Sequence, residues 1–402
     1  MSVRRRLTAT LFGGAALGAT GYIAAVTVTP LAVEEITGNA TLAGLPGAVA
    51  ILGAAVGTSL LTLRVSERGR RPGLTLGYAF GALGAVTSSL AVIEGSLGLL
   101  LVGMAVMGLG HASSQLARYA GAEMYPAQRR ASALSLIVWA GTVGSVLGPS
   151  LLQAGGRLAT GRGYPELTGG YLLAVVFMAA AMLLYFVGLR PDPTTLSTET
   201  WTTTTKPALS GAFRLPHVRV ALTALITGQV VMVMIMTATP LHIRHGGSDL
   251  GIVGLVMSAH TLGMFAFSPL TGRLADRIGR QQTVLAGLAV LGVSAVLAAV
   301  TPIHSTPLLL AALFLLGLGW NLAFVAGSAL LTIGFSPELR ARLQGRVDSI
   351  TWLSSAAASI LSGVFYQVTD YRALSLIGLG LLAVPTVIVI RNRIDLAPST
   401  VT

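Results

Sequence analysis

Residues 272–282 read GRLADRIGRQQ. Arg273, Asp276, Arg277 and Arg280 crowd into this stretch, although only 10% of the chain is charged. On either side the sequence is apolar, over 250–271 and 283–301. About twenty such residues suffice to cross a bilayer as a helix. The stretch therefore reads as a basic connection between two membrane-spanning helices, on the side where Lys and Arg collect.

The same alternation continues in both directions. Apolar runs fall at roughly 7–31, 42–63, 73–93, 97–117, 131–154, 169–189, 218–241, 250–271, 283–301, 307–334, 349–368 and 372–390. Of the 402 residues, 53% are hydrophobic and only 10% charged, against about 25% charged in ordinary soluble domains. The class is an all-α polytopic membrane protein with twelve expected spans. The opening MSVRRRLTATLFGGAALGATGYIAA has the basic head of a secretory signal. Eleven further runs make it a retained first helix.

Both termini are expected in the cytoplasm. All but four of the 26 Lys and Arg then fall on inner segments, the exceptions being Arg157, Arg162, Arg244 and Arg372. The net charge of +12 is thus a matter of topology and of anionic lipid heads, with no call for nucleic acid. Absence of cysteine removes disulfides and thiolate metal sites. No phosphate loop, nucleophile elbow or paired carboxylate suggests an enzyme.

Residues 190–217, RPDPTTLSTETWTTTTKPALSGAFRLPH, break the apolar pattern and read as a cytoplasmic linker. They divide the chain into an N-terminal six-helix half (1–190), a linker (191–217) and a C-terminal six-helix half (218–402). The halves echo each other. Thr29-Pro30-Leu31 returns as Thr239-Pro240-Leu241, and GLG at 108–110 returns at 317–319. Repeated six-helix halves, together with GRLADRIGRQQ, resemble the major facilitator transporters and their G-x-L-A-D-R-x-G-R signature. The resemblance implies that Gly272, Arg273, Asp276, Arg277, Gly279 and Arg280 form a cytoplasmic gating loop whose charges bias one access state. In the first half the matching TLRVSERGRR (62–71) has Thr62 for the first glycine and Ser66 for the aspartate, with Glu67 beside it. GTVGSVLGPSLL (141–152) partly resembles the fifth-helix motif of proton-coupled drug exporters, although small residues at this spacing also simply admit close helix packing.

Ionisable groups inside a bilayer are costly and informative. His111 and His260 are the only ones expected well inside, with no mid-membrane acid. Five of the eleven methionines, Met232, Met234, Met236, Met257 and Met264, lie on the seventh and eighth expected helices. Met232 and Met236 share a face, as do Met257, His260 and Met264; Met234 points elsewhere. At a rise of about 1.5 Å per residue, Met232 and His260 both lie roughly 14 Å deep. Thioether and imidazole suit copper, yet methionine is also a common filler of helix interfaces.

M-x-x-x-M followed by H-x-x-x-M on the next helix resembles the CcoA-type copper importers of bacteria. The resemblance implies Met232, Met236, His260 and Met264 as ligands, with Met257, His242 and His245 as accessory candidates. It implies import of copper, as ion or small chelate, across the bacterial cytoplasmic membrane to supply cytochrome oxidase assembly. The expected protein is a monomer in the bilayer, without a prosthetic group or a nucleic-acid partner. The alternatives are a proton-coupled exporter of drugs or other organic solutes and a carrier of a riboflavin-like solute.

Overall fold

The computed structural model describes residues 3–125, 127–196, 211–331, 333 and 337–392. Most of the expected linker, 197–210, lies outside the described residues, as do the side chains of Thr62, Ser66, Glu67, Arg129, Arg130, Arg340 and Arg342. Every regular element among the described residues is helical. In the N-terminal half these are α1 (Val3–Thr37), α2 (Leu45–Arg68), α3 (Arg70–Ile93), α4 (Leu97–Glu123), α5 (Ala127–Ser150), α6 (Leu152–Thr160) and α7 (Thr168–Gly188). The C-terminal half holds α8 (Pro216–His245), α9 (Leu250–Phe265), α10 (Ser268–Ile278), α11 (Arg280–Val300), α12 (Thr306–Leu330), α13 (Pro337–Val368), α14 (Tyr371–Leu381) and α15 (Ala383–Arg391).

Ten stretches are long and apolar enough to cross a membrane, and the pair α9–α10, bent by 41°, makes an eleventh. The bend has a cause: Pro269 carries no N–H and cannot bond the carbonyl of Phe265. The remaining expected span, 131–154, falls on α5 and the start of α6, where some side chains lie outside the described residues.

The signature stretch differs from its reading as a loop. Residues 272–278 continue α10, and only Gly279 separates it from α11. Arg273, Leu274, Ala275 and Arg277 are good helix formers, so the charges alter the solvent around the helix without ending it. Gly279 ends it with φ +98 and ψ 147. Gly69 does the same between α2 and α3, with φ +91 and ψ 174. This region is essentially reserved for glycine and costs other residues of order 1–3 kcal/mol. Gly279→Ala is therefore expected to lower the melting temperature in detergent. Gly272→Ala is the control, since a Cβ there meets nothing within 4 Å.

The two halves repeat one design in detail. Thr29 pairs its hydroxyl with Tyr171 at 3.0 Å and returns a bond to Ala25 O. Thr239 pairs with Tyr371 at 3.0 Å and bonds Ile235 O. Each hydroxyl pair ties the first helix of its half to the last, so neither of its two hydroxyls is left bare in an apolar layer.

One face carries the ends of both halves: Arg6 bonds the Arg190 carbonyl, and Gln281 bonds the carbonyls of Val389 and Asn392. We call this the terminal face. The far face carries the linkers around 38–44, 161–167, 246–249 and 369–370. Hydrogen bonds between the halves gather toward the far face: Ala40 to Gln367, Gln153 to Asp249, Arg244 to Glu166, His245 to Glu34, and Ser359 to the Gly44 carbonyl. Ser258 and Thr261 continue the seam inward, bonding the carbonyls of Val146 and Ser145. The halves are thus closed on each other at the far face.

Candidate substrate site

Within the C-terminal half, the methionine- and histidine-bearing helices α8 and α9 both pack on α12. Gly317 of α12 lies against the backbone of His260 and Met264, and Asn321 donates to the Met264 carbonyl at 2.6 Å. His260 is fully buried, its Nδ1 3.0 Å from the Leu313 carbonyl. A carbonyl only accepts, so Nδ1 carries the proton and Nε2 keeps a lone pair. That Nε2 is buried without a hydrogen-bond partner among the described residues.

The other expected ligands are placed as follows. Met232 is buried and Met236 half-buried, on the α8 face that carries Gln229. Gln229 accepts from the Trp320 indole of α12 at 2.7 Å. Met234 lies elsewhere on α8, its carbonyl bonded by Ser362 of α13. Met257 and Met264 are buried on α9. His242 stacks on Tyr371 with centroids 4.2 Å apart. Both ring nitrogens of His245 are engaged, by Glu34 at 2.8 Å and Tyr366 at 2.9 Å. Among the described residues no three His, Cys, Asp or Glu side chains come together as a metal site, so a copper site here would rest on thioethers.

What reaches between α8 and α9 is an indole. Trp320 bonds Gln229 of α8 on one side and meets Phe265 of α9 edge-on, with centroids 6.0 Å apart. Phe324, one turn on, stacks on it at 4.6 Å. The repeat carries this position into the other half, where GLGH (108–111) stands for GLGW (317–320). There His111 stacks on Tyr22 at 4.0 Å. Each half thus contributes a pair of stacked flat rings at corresponding depth.

Sequence reading missed this cluster. Aromatics are only 6% of the chain, and overall scarcity hid their concentration at one level. It also missed Asp348. The apolar run began at 349, because the charges just before it lowered local hydropathy. Yet α13 starts at Pro337, and the span Leu343–Val368 includes Asp348. Asp348 interacts electrostatically with Arg118 of α4, across the boundary between the halves. Asp348 lies near the terminal-face end of that span and is exposed, so it adds a charged group at the span's end and leaves the expectation of no mid-membrane acid unchanged.

In the gating stretch, Arg273, Asp276 and Arg277 are exposed at the terminal face, while Arg280 bonds the Ala329 carbonyl at 3.2 Å. Gly272 and Gly279 flank them.

This arrangement agrees with the chain's relatives. The model of the Major Facilitator Superfamily matches residues 10–252 and 232–399. The chain belongs to the major facilitator superfamily. It is a multi-pass membrane transporter. It is 39% identical to the MFS-type transporter YdeG of Bacillus subtilis (strain 168), over 95% of this chain and 90% of that one. It is 26% identical to the riboflavin transporter RfnT of Brucella anthropi, over 90% of this chain and 89% of that one. Among solved structures it resembles the nucleoside transporter NupG, with a TM-score of 0.74 and 15% identity over 98% and 99% of the two chains. That likeness speaks for the fold alone.

Proposed function

We propose that this facilitator carries a small, flat heteroaromatic solute of the riboflavin kind across the bacterial cytoplasmic membrane, as a monomer working by alternating access. Both termini lie in the cytoplasm in this reading, with twelve spans in two six-helix halves. The far face is then external, and the state described here faces inward. Trp320 carries the proposal. Its indole, with Phe324 and Phe265, forms an aromatic platform between α8, α9 and α12, at the depth where transporter sites are expected. Aromatic side chains hold flat rings by stacking, at about 1–3 kcal/mol per ring. Gln229 and Asn321 supply amides at the same level. The similarity to a protein named as a riboflavin transporter points the same way.

A second reading, copper import for cytochrome oxidase assembly, keeps one specific observation. His260 has its proton fixed on Nδ1 by a backbone carbonyl and a buried lone pair on Nε2, the arrangement of a metal-ligating imidazole. Met264 and Met257 lie one turn to either side. Against it, no three His, Cys, Asp or Glu side chains gather as a metal site among the described residues, and Trp320 reaches from Gln229 of α8 to Phe265 of α9.

Uptake of isotopic riboflavin and of isotopic copper into proteoliposomes separates the two. Saturable riboflavin uptake that unlabelled copper does not suppress is the expected result. Saturable copper uptake with none of riboflavin would overturn the first reading and select the second. In that case Met232→Leu, Met236→Leu and Met264→Leu should lose copper uptake, and Met234→Leu should keep it. The swap preserves volume and apolarity, and costs a packing methionine less than about 1.5 kcal/mol.

A further inference from the structure

We propose that His245 and Glu34 form a proton-binding site at the far face, through which pH on that side sets the access state of the transporter. This goes beyond the solute reading and holds whatever is carried.

His245 ends α8 in the C-terminal half, and Glu34 sits near the end of α1 in the N-terminal half. Their side chains meet at 2.8 Å, with relative exposures of 47% and 26%, so water and protons reach the pair from the far side. With His245 neutral, Nε2–H donates to the carboxylate. Protonation turns that bond into an ion pair, and charge-assisted bonds are roughly twice as strong as neutral ones. The other groups around the ring respond differently to opening. Tyr366, on Nδ1, belongs to the same half and moves with the histidine. His242, one turn back, stacks on Tyr371. Asp370 caps α14 through Ala373 N. Among the described partners of the ring, Glu34 is the one across the seam from His245, so that contact is lost when the halves part.

Proton binding and closure are therefore linked, and the linkage is reciprocal. The added proton goes onto Nδ1, beside Tyr366, and the positive charge it gives the ring is paired by Glu34 in the closed state and not in the open one. Acidification of the far side accordingly favours closure. The parallel pair Arg244–Glu166, at 3.0 Å, contains no histidine and supports closure independently of His245.

The absence of native cysteine allows two nitroxide labels to report the gate, at Arg162→Cys and His304→Cys. Both residues are exposed on far-face linkers of opposite halves, and the second change also removes a bystander histidine. Pulsed electron paramagnetic resonance in nanodiscs at pH 8 and pH 5.5 measures the ratio of short to long distances. Between those values the ratio should rise severalfold. His245→Gln retains an N–H for Glu34 but cannot take a proton, so its ratio should be flat with pH. Glu34→Gln should likewise be flat. Tyr366→Phe should keep the response, because the carboxylate supplies the charge. Glu166→Gln should lower the ratio at both pH values and leave the response intact. A parent without the rise, or a His245→Gln variant that keeps it, overturns the proposal.

Discussion

Trp320→Ala should lower riboflavin uptake at least tenfold at matched membrane levels, and Trp320→Phe only severalfold. Losing a stacking surface worth about 1–3 kcal/mol per ring changes an affinity tenfold for every 1.4 kcal/mol. The alanine variant also leaves the Gln229 carbonyl oxygen without its indole donor and opens a hole beside Phe324 and Phe265. Large-to-small core changes of this type cost about 3–5 kcal/mol of stability, so the amount of folded protein must be matched. Phenylalanine separates the two effects: it keeps a ring for stacking and loses only the N–H. Initial rates against riboflavin concentration measure both. Parental uptake by Trp320→Ala would remove the indole from the site. Unchanged copper uptake in the same variant, with loss in Met264→Leu, would transfer the function to the thioethers.

The spans were legible because bilayer length and hydropathy leave little freedom, and the repeat was legible because Thr-Pro-Leu and GLG return nearly unchanged. The site was less so. Helical spacing groups Met232 with Met236 and His260 with Met264. Spacing cannot say which neighbour each face meets, and consecutive helices α8 and α9 need not be partners. Here α12, far along the chain, packs on both. Trp320 of α12 thus joins Gln229 of α8 to Phe265 of α9, which nothing in residues 232–264 announces. Asp348 escaped for a different reason. A window of hydropathy ends at the first charges, but a helix ends only where its backbone does. The same rule explains 272–278, where a charged stretch proved helical and Gly279 made the break.

Gly44→Ala and Gly254→Ala should each abolish transport by holding the far face open. A Cβ on Gly44 would lie 1.5 Å from the Ser359 carbonyl oxygen, and one on Gly254 would lie 2.1 Å from the Pro149 carbonyl oxygen. Both obstacles are backbone, which cannot rotate away as a side chain can, and both belong to the opposite half. Within its own half each site accepts alanine: Gly44 has φ −85, and Gly254 lies inside the apolar helix α9. The substitution therefore penalises one access state without unfolding either half. A clash with backbone sits at the upper end of the about 1–3 kcal/mol that overpacking typically costs, and every 1.4 kcal/mol moves such an equilibrium tenfold. Turnover requires both states, so uptake should fall by up to about a hundredfold. Labels at residues 162 and 304 should then report long distances at every pH. Gly141→Ala, where a Cβ meets nothing within 4 Å, should transport normally. Closure of the far face by Gly44→Ala, or parental uptake by either variant, would show that the halves need not approach this closely for transport, and that the seam described here is not the gate.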